Sequence, residues 1–465
     1  MIFSSITFAI FFAIVLALSR APLSDAAHKR VLLVASQLFY AVWSPPYVVL
    51  LWFSTVVDYA LAKRLHATEE AGARRALLVV SVVVNLSMLG FFKYGAFFIE
   101  NVRALGLDVR APEGFVLPVG ISFYTFQTLS YTIDVYRRRL VPSSGFADYA
   151  LFVSFFPQLV AGPIVRAAEL LPQLARPRRA SLDDVAYGLV LLAAGLAQKV
   201  LIADALLAPI ADSVFGAPHP VTMTDAWIGT LAFTGQIFCD FAGYSTCAIG
   251  CARALGYALP VNFRAPYAAV GFSDFWRRWH VTLSSWLRDY LYIPLGGSAH
   301  GPARTALALV VTMLLGGLWH GAAWTFVLWG ALHGAYLVVE RALRAALPGV
   351  DHAAARLLGS AATFLAVVVA WVPFRATSLA HTRDVWLSML STPTDVPTLI
   401  APHERALVVV VLAVLVAAHH FTRDDAPNAL AARVPALLRP VVVALLLLAL
   451  VLSPGPQHAF IYFQF

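Results

Sequence analysis

Runs of about twenty apolar residues recur along almost the whole chain, near 2–19, 31–61, 76–99, 115–135, 148–165, 182–203, 226–260, 304–343, 354–374, 405–421 and 438–453. A helix needs a run of that length to cross a bilayer core, where backbone groups must be satisfied from within the protein. Several runs are long enough for two crossings or a re-entrant turn. The pattern predicts an all-α polytopic membrane protein with about 10–12 transmembrane helices.

Of the 465 residues, 60% are hydrophobic and 12% are charged, where a soluble domain carries about a quarter charged. No soluble domain fits between the runs, so residues 1–465 read as one membrane-embedded domain. Its core is placed near 115–345, where the chemistry-bearing residues gather. The first run, "MIFSSITFAIFF", lacks a basic leader and a small-residue cleavage site and reads as a retained helix.

Five spans in the first third, with a turn at "SPP" (44–46), put Arg20, Lys29, Arg30, Lys63, Arg64, Arg74, Arg75, Arg137, Arg138 and Arg139 on one side. The other side receives Arg103 and Arg110. The positive-inside rule then expects an extracytoplasmic N-terminus. The net charge of +8 suits anionic lipid headgroups and not nucleic acid.

Cys239, Cys247 and Cys251 show no CxxC or Cys/His spacing and read as core residues, so no metal is expected. The absence of GxSxG, Walker and HExxH patterns leaves a serine hydrolase, a P-loop pump and a zincin unsupported. No half of the chain visibly repeats the other, which weakens an alternating-access transporter. Pro157, Gly162 and Pro163 interrupt "LFVSFFPQLVAGPIVR". Broken backbone at membrane depth belongs where protein buries it or where it lines a cavity; a surface kink fits the pattern equally.

The stretch "DFWRRWHVTLSSWLRDYLYIPLGG" (274–297) reads as an aromatic amphipathic helix, capped by Asp274 and stopped by Pro294, Gly296 and Gly297. An interfacial helix would look the same. His280, beside Trp279, fits either a hydrogen-bonded core residue or a catalyst. His320, in "GGLWHG", lies among Leu315, Trp319 and Trp324. Ionisable groups inside spans are costly and face a bundle interior or wet cavity, and burial keeps histidine neutral, able to take a proton from a hydroxyl. Gly316, Gly317 and Gly321 allow a substrate or a neighbouring helix close to the backbone. His333, thirteen residues on, would stand about 20 Å away on a continuous helix, in a structural or tunnel-lining role. Asp240, in "QIFCDFAGYST" with Tyr244, is placed to orient a histidine, to hold Arg277 or Arg278, or to form a structural ion pair or helix cap.

Six ordered blocks, "FFPQLVAGPIVR" (155–166), "QIFCDFAGYS" (236–245), "NFRAPY" (262–267), 274–297, "GGLWHGAAWTFVLWGALHG" (316–334) and "FIYFQF" (460–465), resemble the membrane-bound O-acyltransferases. The resemblance is to the bacterial branch with the alginate O-acetylases and the D-alanyl transferases of teichoic acid modification. Thr246 stands where the alginate branch commonly has Asp, and Phe241, Ala242 and Gly243 replace its "FSG".

The resemblance implies helices around a central tunnel, with His320 as the catalytic histidine and His280 as the second. Neutral His320 would act as base on an acceptor hydroxyl, while His280 orients a substrate or stabilises developing charge. Asp240, Trp279, Trp319, Trp324, Tyr244 and Pro163 are the substrate- or tunnel-lining candidates. No resident cofactor is implied; the donor would be acetyl-CoA or an acyl-carrier thioester. The acceptor would be an exported polysaccharide, as in alginate biosynthesis, or a periplasmic acyltransferase partner. D-alanyl transfer to a cell-wall polymer and a non-enzymatic lipid or polysaccharide transporter are the rival readings.

Overall fold

The computed structural model describes residues 1–43, 45–109, 117–176, 179–218, 220–347, 353–391, 395–425, 427–453 and 460–461. Arg110, Ser44 and 462–465 of the last block therefore lie outside the described residues. Among those described there is no β-strand. Seven helices among the described residues are long and apolar enough to cross a membrane: Pro45–Ala67, Ala71–Ala104, Leu182–Phe215, Pro302–His320, Trp324–Ala346, Ala353–Arg375 and Pro402–Phe421. Ile6–Arg20 and Ala436–Leu452 are apolar but shorter. The chain is a multi-pass membrane protein.

It forms two compact units. The first comprises Met1–Ala193, Tyr244–Pro260 and Pro435–Val443. In it the helices α1 (Ile6–Arg20), α2 (Asp25–Ala41), α3 (Pro45–Ala67) and α4 (Ala71–Ala104) precede the polar α5 (Ile121–Tyr136). The expected turn near "SPP" falls between Ala41 and Pro45. α5 carries Ser, Thr, Gln and Tyr, yet residues 121–132 are all buried. Its Thr128 hydroxyl donates to Asn85 Oδ1 at 3.1 Å, and the Asn85 amide donates to Asp58 at 2.8 Å. Polar groups inside a membrane protein need such partners.

The suspected break is real: α6 (Phe146–Ser154) stops at Phe155 and a single turn, α7 (Phe156–Leu159), follows. Residues 149–165, Pro163 included, are all buried in this unit, so the irregular backbone is covered by protein. Tyr244 stacks on Phe3 at 4.4 Å in the same unit.

The second unit comprises Ala194–Gly243, Val261–Val434 and Ala444–Phe465, and holds both principal histidines. Its frame is an antiparallel hairpin of Pro302–His320 and Trp324–Ala346. The first arm opens with Pro302 at its N-terminus, where a missing N–H costs nothing. It ends at His320 because Gly321 is extended, and the second arm starts three residues later. A Cβ on Gly317 would collide with the Phe326 carbonyl, and one on Gly330 with that of Met313. Glycine on both arms thus lets backbone lie on backbone, the small-residue seam that membrane helices use to approach closely.

The stretch 274–297 is not one helix. It opens as Phe272–Trp276, turns at His280, resumes as Val281–Leu287 and passes into a π-helical turn, Arg288–Tyr292. Asp274 is not the cap; it lies inside the first short helix, accepts from Val270 N at 3.0 Å and Arg423 at 2.8 Å, and forms an ion pair with Arg278, whose Nε is 3.0 Å away. The 3.6-residue apolar spacing persists across the break, which hides it from periodicity.

Candidate active site

His280 occupies the turn with φ 42 and ψ 54, a left-handed conformation that costs a non-glycine residue about 1–3 kcal/mol. The segment beginning at Asn262 over-determines it. Val281 N donates to the Asn262 carbonyl at 2.9 Å and Arg264 N to the Arg278 carbonyl at 2.9 Å. The Asn262 side-chain oxygen accepts from Thr282 Oγ1 at 2.9 Å and lies 3.1 Å from His280 Nδ1. Because that oxygen accepts, the His280 proton is assigned to Nδ1, and Nε2 keeps a lone pair. Nε2 is buried without a hydrogen-bond partner among the described residues. The turn lies outside the seven long apolar helices, and burial lowers the His280 pKa to about 3. The ring is a neutral base.

His320 ends its helix with 3% of its surface exposed. Its ring centre lies 6.4 Å from that of His280, and Trp319 stands beside both, 6.0 Å from His280 and 5.1 Å from His320. Trp329 at 5.0 Å and Phe374 at 5.4 Å meet the His320 ring edge-on. Two buried imidazoles held among aromatic rings can move a proton, orient a hydroxyl and exclude water.

His333 is not remote. Because the helix breaks at Gly321, the second arm folds back, and Trp329 contacts His333 at 4.7 Å as well as His320. The continuous-helix distance does not apply. Trp276 is 5.1 Å from His333 and 5.7 Å from Trp329.

Trp276 also lines a cleft of about 570 Å³. Arg264, Arg277, Arg288 and Arg341 surround it and Leu309, Met313 and Leu337 form apolar wall. None of the described lining residues is acidic. The cleft suits an amphipathic anion.

A family model described as MBOAT, membrane-bound O-acyltransferase family, matches residues 130–373. The chain belongs to the membrane-bound O-acyltransferase family. It is an O-acyltransferase. The "Probable alginate O-acetylase AlgI" of Azotobacter vinelandii is 43% identical over 402 residues, covering 84% of this chain and 78% of the relative. The "Peptidoglycan O-acetyltransferase" of Helicobacter pylori is 38% identical over 388 residues, covering 78% and 73%. The "Teichoic acid D-alanyltransferase" of Streptococcus thermophilus is 26% identical over 238 residues, covering 48% and 57%.

Of the residues singled out in the sequence of this family member, His280, His320 and Trp319 come together. Trp279 is fully buried behind His280, stacked on Phe275 at 5.7 Å and 5.0 Å from Trp371. Trp324 is 54% exposed at the start of its helix. Asp240 forms the structural ion pair: Lys199 Nζ is 2.5 Å from its Oδ1, and Ile461 N donates to its Oδ2 at 2.8 Å. Pro163 and Tyr244 belong to the first unit. Sequence reasoning missed Asn262, Trp329 and Phe374 as parts of the site. Asn262 opens the "NFRAPY" block, an isolated polar residue beside an aromatic, and that was the available signal.

Among the described residues no group of three or more His, Cys, Asp or Glu is arranged to hold a metal ion.

Proposed function

We propose that the chain transfers acetyl from a thioester, acetyl-CoA or an acylated carrier, to a hydroxyl of an exported polysaccharide or of an extracytoplasmic relay protein. The observation that carries this reading is the pair of buried imidazoles flanking Trp319, one of them with a bare Nε2. The names of the most similar relatives support acetyl over D-alanyl, since the D-alanyl transferase match is weaker and shorter. The arginine-lined cleft supports a donor bearing phosphate.

In this reading His320 takes the proton of the acceptor hydroxyl. The oxygen attacks the thioester carbonyl, the C–S bond breaks, and the leaving thiolate recovers the proton from His320. The Nδ1–H tautomer favours His280 as an acceptor that orients the hydroxyl over a donor to developing charge. A tunnel through the second unit would let donor and acceptor arrive from opposite sides of an inner membrane, with the N-terminus extracytoplasmic.

The test is the O-acetyl content of exported polymer in cells carrying wild type, His320→Ala or His280→Ala at matched membrane levels. Loss of acetyl with either substitution supports the reading; unchanged acetylation in both overturns it.

A further inference from the structure

Asp240 and Phe241 are neighbours on the helix Met223–Ala254, and together they hold one short stretch of chain more than two hundred residues away. Asp240 takes its backbone: Ile461 N donates to Oδ2 at 2.8 Å. Phe241 takes its side chain: the Phe460 ring meets it edge-on at 5.5 Å. Phe460 and Ile461 are 1% and 3% exposed.

The acceptor is fixed from behind. Asp240 Oδ1 is 2.5 Å from Lys199 Nζ, which is also 2.7 Å from Asp204 Oδ1. Lys199 and Asp204, five residues apart, lie on a π-helical stretch, Gln198–Leu207, whose wider turn brings such a pair to one side. All three side chains are buried. A buried ion pair often adds little net stability over apolar packing, so its use lies in what it holds in register.

What this one holds leads to the site. Phe241 meets His280 at 4.7 Å and 84°, and meets Phe263, next to Asn262, at 5.0 Å. Asn262 pins one edge of the His280 ring at Nδ1, leaving rotation about that point; Phe241 forms a wall against that rotation, and Phe460 backs the wall. We propose that Phe460 is a positioning residue for His280, acting through Phe241, and that the Lys199–Asp240 pair serves the same end by pinning the backbone at Ile461. The proposal rests on the role given to His280 above.

The variants are Phe460→Ala, Phe460→Leu, and Ile461→Pro, which removes the N–H and spares the Phe460 ring. Each is made in the full chain in lipid nanodiscs. The first measurement is the histidine ¹⁵N spectrum, with the His280 signals identified by their loss in His280→Gln. The second is acetyl-CoA turnover with an alginate oligosaccharide as acceptor. Phe460→Ala and Ile461→Pro should mix the His280 tautomers and lower kcat at least about tenfold, since small misplacement of a reacting group costs up to about a hundredfold. KM for acetyl-CoA should stay within about twofold, and Phe460→Leu should recover most of kcat, because it spent nothing at donor binding.

Unchanged His280 signals in folded Phe460→Ala overturn the proposal. So does loss of folded protein in both Phe460→Ala and Ile461→Pro, which makes the contact structural only. If His280→Gln retains full turnover, the role of His280 fails instead, while the spectrum still reports whether Phe460 positions the ring.

Discussion

The rings of His280 and His320 lie 6.4 Å apart, centre to centre, and meet at 63°. They reach that spacing from different elements, one on a left-handed turn and one at a helix end. Neither ring is placed by the element that places the other.

If the two act on one hydroxyl, their effects are shared. His320→Ala and His280→Ala should each lower turnover by about 10²–10⁴-fold, and the double variant should be no worse than the poorer single one. Turnover measured on the three purified variants decides it; multiplied losses would mean the histidines work independently.

Asn262→Leu removes the oxygen that orients His280 while keeping the volume. It should lower kcat at least about tenfold with KM for the donor little changed, whereas Asn262→Asp, which keeps an acceptor oxygen at the same reach, should lose less. Equal losses in the two variants would point to packing alone.

Burial lowers the folded-state pKa of His280 from 6.5 to about 3. Below 6.5 the unfolded chain therefore takes up a proton that the folded chain refuses, and stability falls as pH drops from 6.5 toward 3. Unfolding temperature measured at pH 7.5, 6 and 5 should fall more steeply for wild type than for His280→Gln. Parallel curves would show that this ring contributes no linkage.

Gly317→Ala drives a methyl into the Phe326 carbonyl, which cannot yield without parting the hairpin, and should cost about 1–3 kcal/mol. Gly316→Ala meets only the Leu287 Cδ1 methyl at 3.1 Å, the movable end of a side chain, and should be nearly neutral. Thermal unfolding of the two variants in nanodiscs compares them directly.

Removing cleft charge should act on the donor. Arg264→Gln with Arg341→Gln should raise KM for acetyl-CoA about tenfold with kcat preserved, and the wild-type KM should rise with salt as the charges are screened. A fall in kcat at unchanged KM would separate the cleft from donor binding.

The legible part of the site was what a bilayer makes expensive. His320 stood out because imidazole in an apolar run needs a reason, and the glycines around it announced close approach. The break at His280 was hidden because Trp276, Trp279 and Leu283 keep helical spacing on either side of it. The bond that makes the break, from Asn262, comes from a segment whose pairing depends on tertiary context. Of the readings open for Asp240, the structure shows the structural ion pair; its partner is Lys199, on a π-helical turn that composition does not announce. The about 20 Å between His320 and His333 held for a continuous helix alone, and the break at Gly321 removes that condition.

The seam under His320 has no side chains in it where Gly317 meets Phe326 and Gly330 meets Met313. Side chains repack when their surroundings change, and two backbones in contact have nothing to rearrange. The outward residues of the same two helices, Leu307, Leu315, Val339 and Leu343, are between 45% and 63% exposed and are not part of that contact. The place of His320 is therefore set apart from how those residues meet the lipid, and the outer surface of the hairpin can be rewritten for another bilayer while the helix end that carries the imidazole stays where it is.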